Sequence, residues 1–341
     1  MQPLPDRIAS VAELDEVLSR PSDGLVAAMG RLSGDLMILG AGGKVGPTLA
    51  RMARRAVAQA GVTKRILAVD VIPLPELAAE GIETIRCDML DLGAVEKLPR
   101  VENIVYMIGR KFGSTGSESL TWAINVMVPY YVARAFTGSR IAAFSTGCVY
   151  PVVDIRTGGA TEEMPPDPVG EYAMSCLGRE RMFDYFSENK GERVVHFRLN
   201  YAVELRYGVL ADVATRVWRG EPVDVTTGFA NVIWQGDACS QALRSLELAS
   251  SPARVLNVTG PETFSIREVA GEFGRRLGRE PVITGEENGR GYLSNSRRAA
   301  AIFGNPAVPL GRIIEWTAEW VRLGGASLGK PTHFEAQDGK Y

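Results

Sequence analysis

Short apolar runs alternate with amphipathic stretches through most of this chain. Leu36 to Leu39 is continuously apolar, a glycine-rich turn follows, Val45 to Ala60 repeats apolar positions at helical spacing, and Ile66 to Val69 is apolar again before Asp70. A short apolar run bounded by turn residues predicts a buried strand and a 3.6-residue period predicts a helix, so this stretch reads as a β-α-β unit. The alternation continues with strands over Ile82 to Arg86, Asn103 to Ile108, Ile141 to Phe144 and Val194 to Leu199. Helices are expected at Leu92 to Leu98, Ser117 to Phe136 and Tyr172 to Asn189. Each parallel strand needs a crossover and each crossover covers a face, which predicts an α/β fold with a doubly wound parallel sheet. Ligands then bind at the carboxyl ends of the strands.

The ends of the chain follow a different rhythm. Residues 1–35 carry one helical pattern, Val11 to Leu18, then Pro21-Ser22-Asp23-Gly24, which reads as a turn, so an N-terminal helical extension is expected there. Residues 36–204 form the expected nucleotide-binding domain. Residues 205–341 lose the strict alternation, with helices at Val209 to Trp218, Ala238 to Leu248 and Ile266 to Leu277 and strands near Val223 to Val225 and Val255 to Val258. They read mainly as a smaller, interleaved substrate-binding lobe with segments returning to the sheet.

Charge narrows the partners. With 38 Lys and Arg against 40 Asp and Glu in 341 residues, nothing draws the surface to nucleic acid or to anionic lipid. No apolar run approaches the length of a spanning helix, and Asp6, Glu13, Asp15 and Glu16 occupy the region where a secretory signal would be basic and then apolar. A soluble cytoplasmic protein is expected. Cys87, Cys148, Cys176 and Cys239 form no C-x-x-C pair, and His196 and His333 stand in no ligand pattern, so no metal site is expected. His196, inside an apolar strand, reads as a hydrogen-bonded core residue.

The turn Gly40-Ala41-Gly42-Gly43-Lys44-Val45-Gly46 follows a strand and opens a helix, the context of a dinucleotide fingerprint. Gly40 permits the tight turn, Gly43 lets the backbone approach a pyrophosphate, and Gly46 lets the helix pack on the sheet. The helix N-terminus adds N–H groups and a positive dipole, with Lys44 and Val45 at its entrance. Asp70 ends the second strand, where a carboxylate accepts from a ribose 2′-hydroxyl and repels a 2′-phosphate. That favours NAD over NADP. Asp88 is a candidate for the adenine edge, with a surface turn residue as the alternative.

These glycines, Asp70, the Asp88-Met89 turn and Asn125 resemble the extended short-chain dehydrogenase/reductases. So do Ser145-Thr146-Gly147-Cys148-Val149-Tyr150, the run Thr161 to Pro168, and Tyr172 opening a helix. Within that family the chain looks like the NAD-dependent sugar epimerase/dehydratase branch. The resemblance spans roughly Leu36 to Leu323 and implies a Rossmann-type sheet, NAD as cofactor, and hydride transfer at a carbon of a sugar, nucleotide-sugar or sugar-derived hydroxy acid. It implies that Tyr172 is the general acid/base and that Thr146 holds the reacting oxygen. It places Arg198 and Asn200 near the substrate and Met89, Asn125 and position 176 with the cofactor residues. It also implies a homodimer through the two long helices.

One position departs from the family. The pattern Tyr-x-x-x-Lys here ends in Cys176, and residues four apart share a helix face, so the usual cation beside the tyrosine is missing. Lys111, in a loop at the carboxyl end of a strand, is the preferred substitute and a candidate substrate contact. Arg179 is the other option, although a guanidinium there more often faces solvent or an acidic neighbour. Gly147 and Cys148 stand where sugar dehydratases carry an Asp-Glu pair, which disfavours 4,6-dehydration. The missing lysine also leaves open a catalytically silent dinucleotide-binding sensor, or a scaffold without cofactor. Retention of Thr146 and Tyr172 argues against the first and the intact glycine turn against the second.

Overall fold

The computed structural model describes residues 3–111, 113–330, 332–336 and 339. Its centre is a seven-stranded sheet in the order Arg254–Val258, Arg193–Leu199, Arg140–Thr146, Asn103–Tyr106, Leu36–Leu39, Ile66–Asp70, Glu83–Arg86. Every neighbouring pair is parallel. Strand order reverses beside Leu36–Leu39, so a crevice opens at the carboxyl ends of that strand and of Asn103–Tyr106, the switch point where open α/β sheets bind ligands.

The apolar runs form strands because both faces of the sheet are covered. Leu36, Met37, Ile38 and Leu39 are all buried, with Leu36 and Ile38 packing on one face and Met37 and Leu39 on the other. Helices Gly46–Gln59 and Gln235–Ser245 cover the first face. The second is covered by helix Gly170–Lys190 and a long helical segment over residues 118–135. That segment is not a uniform α-helix. Ala123–Met127 is a π turn between Glu118–Trp122 and Val128–Ala135, and it holds the buried Asn125. Such turns recur at functional sites because they re-aim one residue without ending the helix.

The smaller lobe has its own core. Helices Val209–Arg219, Ile266–Leu277 and Leu310–Arg322 pack together, with the Trp234 and Trp316 rings 5.4 Å apart beneath them. The N-terminal residues are woven into both cores. Helix Val11–Leu18 buries Leu14, Val17 and Leu18 in the lobe, and a second helix, Asp23–Arg31, buries Leu25 and Met29 against the main domain. That second helix replaces the turn expected at Pro21 to Gly24, because Ser22 is its N-cap, its hydroxyl accepting from Leu25 N at 3.2 Å.

No helix of the described residues is long and apolar enough to cross a membrane. No group of three or more His, Cys, Asp or Glu among them is arranged to hold a metal ion.

Candidate active site

The glycine turn is built as its spacing requires. Gly40 has φ of 86°, open to glycine at little cost, and a Cβ at Gly46 would lie 2.2 Å from the Ala41 carbonyl oxygen. Gly43 differs. A Cβ there would meet only the Gly40 oxygen at 3.4 Å, so the protein itself leaves that position open and the space in front of it is available to a ligand.

The Asp70 carboxylate accepts from Gly42 N at 2.7 Å and Ile72 N at 3.2 Å, fixing it beside the turn with acceptor capacity left over. Asp70, Asp88 and Met89 line one cavity of about 430 Å³ together with Gly40, Gly42 and Gly43. Asp88 accepts from Leu90 N at 3.0 Å in an Asx turn. A surface open at Gly43, walled by a carboxylate and apolar groups, fits the adenosine diphosphate half of a dinucleotide.

Across the switch point lies a second cavity of about 240 Å³. Thr146, Tyr172, Lys44, Lys111, Arg179 and Asn200 all line it, with Val45 and Cys148. Residues from five separate stretches of chain therefore meet at one place. Thr146 ends its strand, and its Oγ1 accepts from Cys148 N at 3.1 Å, leaving the hydroxyl proton to be donated elsewhere. Tyr172 sits in the first turn of helix Gly170–Lys190, hydrogen-bonded with the Cys176 thiol. Burial pushes the Tyr172 phenol well above its usual range, the two neighbouring thiols Cys176 and Cys148 add to the rise, and Arg179 opposes it.

Arg179 is the residue whose placement corrects the sequence reading. Instead of facing solvent, it is 5% exposed; Nη1 donates to the Phe144 carbonyl at 2.8 Å and Nη2 to Asn125 Oδ1 at 3.0 Å. Helix side chains lean toward the N-terminus, so an arginine three residues beyond Cys176 reaches back over the ground a lysine at 176 would cover. Its guanidinium packs so closely on Gly109 that a Cβ there would lie 2.5 Å from Nη2. Both hydrogen-bond partners are neutral and Nε has none among the described residues, leaving a buried cation that lines the cavity with no carboxylate of those residues bonded to it.

Lys111 also reaches the tyrosine, its Nζ 5.9 Å from the ring centroid, and burial lowers its pKa. Lys44 turns inward over the Tyr207 ring at 3.5 Å and donates to the Ala202 carbonyl at 3.1 Å, and burial pushes it down to about 7.

Three expected contacts lie elsewhere. Arg198 is behind the wall, paired with the Glu180 carboxylate at 2.6 Å and donating to Tyr150 Oη at 2.6 Å, so it ties its own strand to the helix that carries Tyr172 and lines neither cavity. Cys176 is fully buried among Val149, Tyr150 and Ala160 and bonds Tyr172, and it lines neither cavity. Asn125 is spent on protein groups. It accepts from Arg110 N and Arg179 and donates to the Arg110 carbonyl and Ser175 Oγ, which makes it a holder of the cavity floor. Asn200 does reach the cavity, with its amide fixed by Asn231 and the Tyr292 carbonyl. His196 is buried and bonded to Asp184 at 2.7 Å.

A larger cavity of about 540 Å³ lies between the N-terminal helices and helix Gln235–Ser245. Its charges are already engaged. Arg20 and Arg55 reach Glu16, and Asp237, pushed up to about 6 by burial, accepts from Ala307 N and Val308 N.

The model of the NAD dependent epimerase/dehydratase family matches residues 36–226. MoeE5 in complex with UDP-glucose and NAD superposes with a TM-score of 0.69 at 20% identity, over 85% of this chain and 99% of that one. UDP-glucose 4-epimerase from Thermotoga maritima gives 0.69 at 17%, over 84% and 98%. DesIV, a dTDP-glucose 4,6-dehydratase from Streptomyces venezuelae with NAD and TYD bound, gives 0.71 at 19%, over 84% and 97%. No curated protein matches the chain at a significant level.

Proposed function

Because the chain belongs to the NAD-dependent epimerase/dehydratase family, we propose that it oxidises or epimerises a sugar or sugar-derived hydroxy acid, with Tyr172 as acid/base and Thr146 as anchor of the reacting oxygen. The cofactor is NAD. The turn Gly40 to Gly46, Asp70, Asp88 and Met89 would hold its adenosine diphosphate half, and bound there NAD supplies the hydride acceptor or donor.

The single observation that carries the reading is the meeting of Thr146, Tyr172 and the buried Arg179 on one cavity wall beside the glycine turn. The Thr146 hydroxyl donates to the substrate oxygen and orients it. Tyr172, as phenolate, takes the proton from that hydroxyl during oxidation; as phenol it returns a proton to a carbonyl oxygen. Burial disfavours the phenolate, and the Arg179 guanidinium, always charged, is the group that offsets it. Cys148 and Gly147 bring no carboxylate, so elimination of water is not part of the reading.

A silent sensor remains the rival, favoured by the cysteine at position 176. A sensor has no need of a threonine, a tyrosine and a cation facing one cavity. The two readings separate when protein saturated with NAD is offered free sugars, their acids and nucleotide-linked sugars, with NADH absorbance and the NMR spectrum of the sugar ring followed together. Turnover of any supports the enzyme; NAD binding with turnover of none supports the sensor.

The same reading includes a homodimer. Leu120, Trp122, Met127 and Tyr130 on one long helical segment and Met174 and Tyr185 on helix Gly170–Lys190 are exposed apolar groups of the kind that pair two copies. Sedimentation equilibrium tests it.

A further inference from the structure

The substrate cavity is closed from one side by the C-terminal segment. Thr332 is itself part of the wall, 2% exposed, its N–H and hydroxyl both donating to Asp212 Oδ2 at 2.8 and 2.6 Å. Three further ties hold the segment down. Phe334 is buried in the lobe core, Glu335 pairs with Arg216 at 2.9 Å, and the Thr227 hydroxyl donates to the Glu335 carbonyl at 2.9 Å. Farther on, Gly339 crosses the start of the tyrosine-bearing helix so closely that a Cβ at Gly170 would lie 2.5 Å from the Gly339 oxygen. Residues 332–336 are thus tied to the lobe through helix Val209–Arg219, and Gly339 lies against Gly170, the first residue of the helix that carries Tyr172.

What remains inside is small. About 240 Å³ must serve both the reacting end of the cofactor and the substrate, whereas pockets for drug-sized ligands run from ~300 to 1,000 Å³. The lobe side is further filled by Tyr201 and by Tyr207, on whose ring Lys44 sits.

We infer that residues 332–336, together with Gly339, act as a strap that excludes a nucleoside diphosphate, so that the substrate is a free monosaccharide or its acid and not a nucleotide-linked sugar. This rests on the proposed sugar chemistry and narrows it. Lys111 and Lys44 on the wall suit a substrate with a carboxylate or a cluster of hydroxyls.

The test is binding of UDP and UDP-glucose by calorimetry, with NAD present at saturation so that its own site is filled. The wild type is expected to bind both with Kd weaker than about 1 mM. A variant ending at Leu323 is expected to bind them at least tenfold more tightly. Because loss of Phe334 opens the lobe core, the full-length double variant Thr332→Ala, Glu335→Ala is measured beside it and is expected to move the same way. Wild-type binding of either probe tighter than about 1 mM overturns the inference, and so does unchanged affinity in the folded variants. Either result leaves the NAD-linked sugar reading standing, since that reading fails only if no sugar of any kind is turned over.

Discussion

Arg179 and Tyr172 lie seven residues apart on one helix and line the same cavity, the arginine resting on Gly109 and the tyrosine hydrogen-bonded with Cys176. The resemblance drawn from the sequence implies a lysine at the position of Cys176, four residues after the tyrosine. Here the nearest helix-borne cation comes from one turn farther along and reaches back.

This relationship predicts the pH dependence. In the proposed mechanism oxidation needs the Tyr172 phenolate, whose formation burial and the two thiols oppose, so its rate is expected to climb into the alkaline range. Arg179→Gln removes an opposing cation and moves the alkaline limb to higher pH; Cys176→Lys adds one and moves it lower, each by about one unit or more. Carbonyl reduction, which uses the neutral phenol, shifts little. The check is the pH profile of kcat/KM in both directions, with Lys111→Ala alongside. A shift caused by Lys111→Ala and not by Arg179→Gln would transfer the role to the lysine.

The turn glycines separate fold from binding. Gly46→Ala drives a methyl into the Ala41 carbonyl and is expected to cost about 1–3 kcal/mol of stability. Gly43→Val meets no such clash, so it should melt near the wild-type temperature while losing NAD. Thermal unfolding with and without NAD reads both; a Gly43→Val protein that NAD still stabilises normally would move the cofactor site elsewhere.

Asp70 is proposed to set the cofactor choice. Asp70→Ala should narrow the preference for NAD over NADP, since it removes both the ribose acceptor and the charge that repels a 2′-phosphate. Calorimetry with the two cofactors measures it, and equal affinities in the wild type would contradict the assignment.

Arg198 is expected to act through stability. Removing it leaves the Glu180 carboxylate, 1% exposed, without its cationic partner, and breaking a buried pair costs about 3–5 kcal/mol. Arg198→Met should therefore lower the melting temperature. A stable variant with a raised KM would return Arg198 to the substrate.

What the sequence made legible was local. The strand-turn-helix at Leu36 to Gln59 announces itself because each glycine has a fixed job within seven residues, and Thr146 and Tyr172 are marked by short patterns beside them. Arg179 carries no such mark. Its helix presents buried residues to the sheet and to the loop behind Val149, so an arginine in it reads as surface until the fold puts Asn125 and Phe144 opposite. The π turn that aims Asn125 and the strap that brings Thr332 to Asp212 depend on pairs distant in sequence. Helix Asp23–Arg31 was obscured differently: Pro21-Ser22-Asp23-Gly24 has the composition of a turn, and the same serine is what starts a helix.

In the proposed mechanism Tyr172 performs the proton transfer. The decisive comparison is NAD reduction by wild type and Tyr172→Phe on the best free sugar, with NAD affinity measured on both. A loss of about 10²- to 10⁴-fold in kcat is expected, with NAD affinity unchanged. A Tyr172→Phe enzyme within about tenfold of the wild type would contradict it.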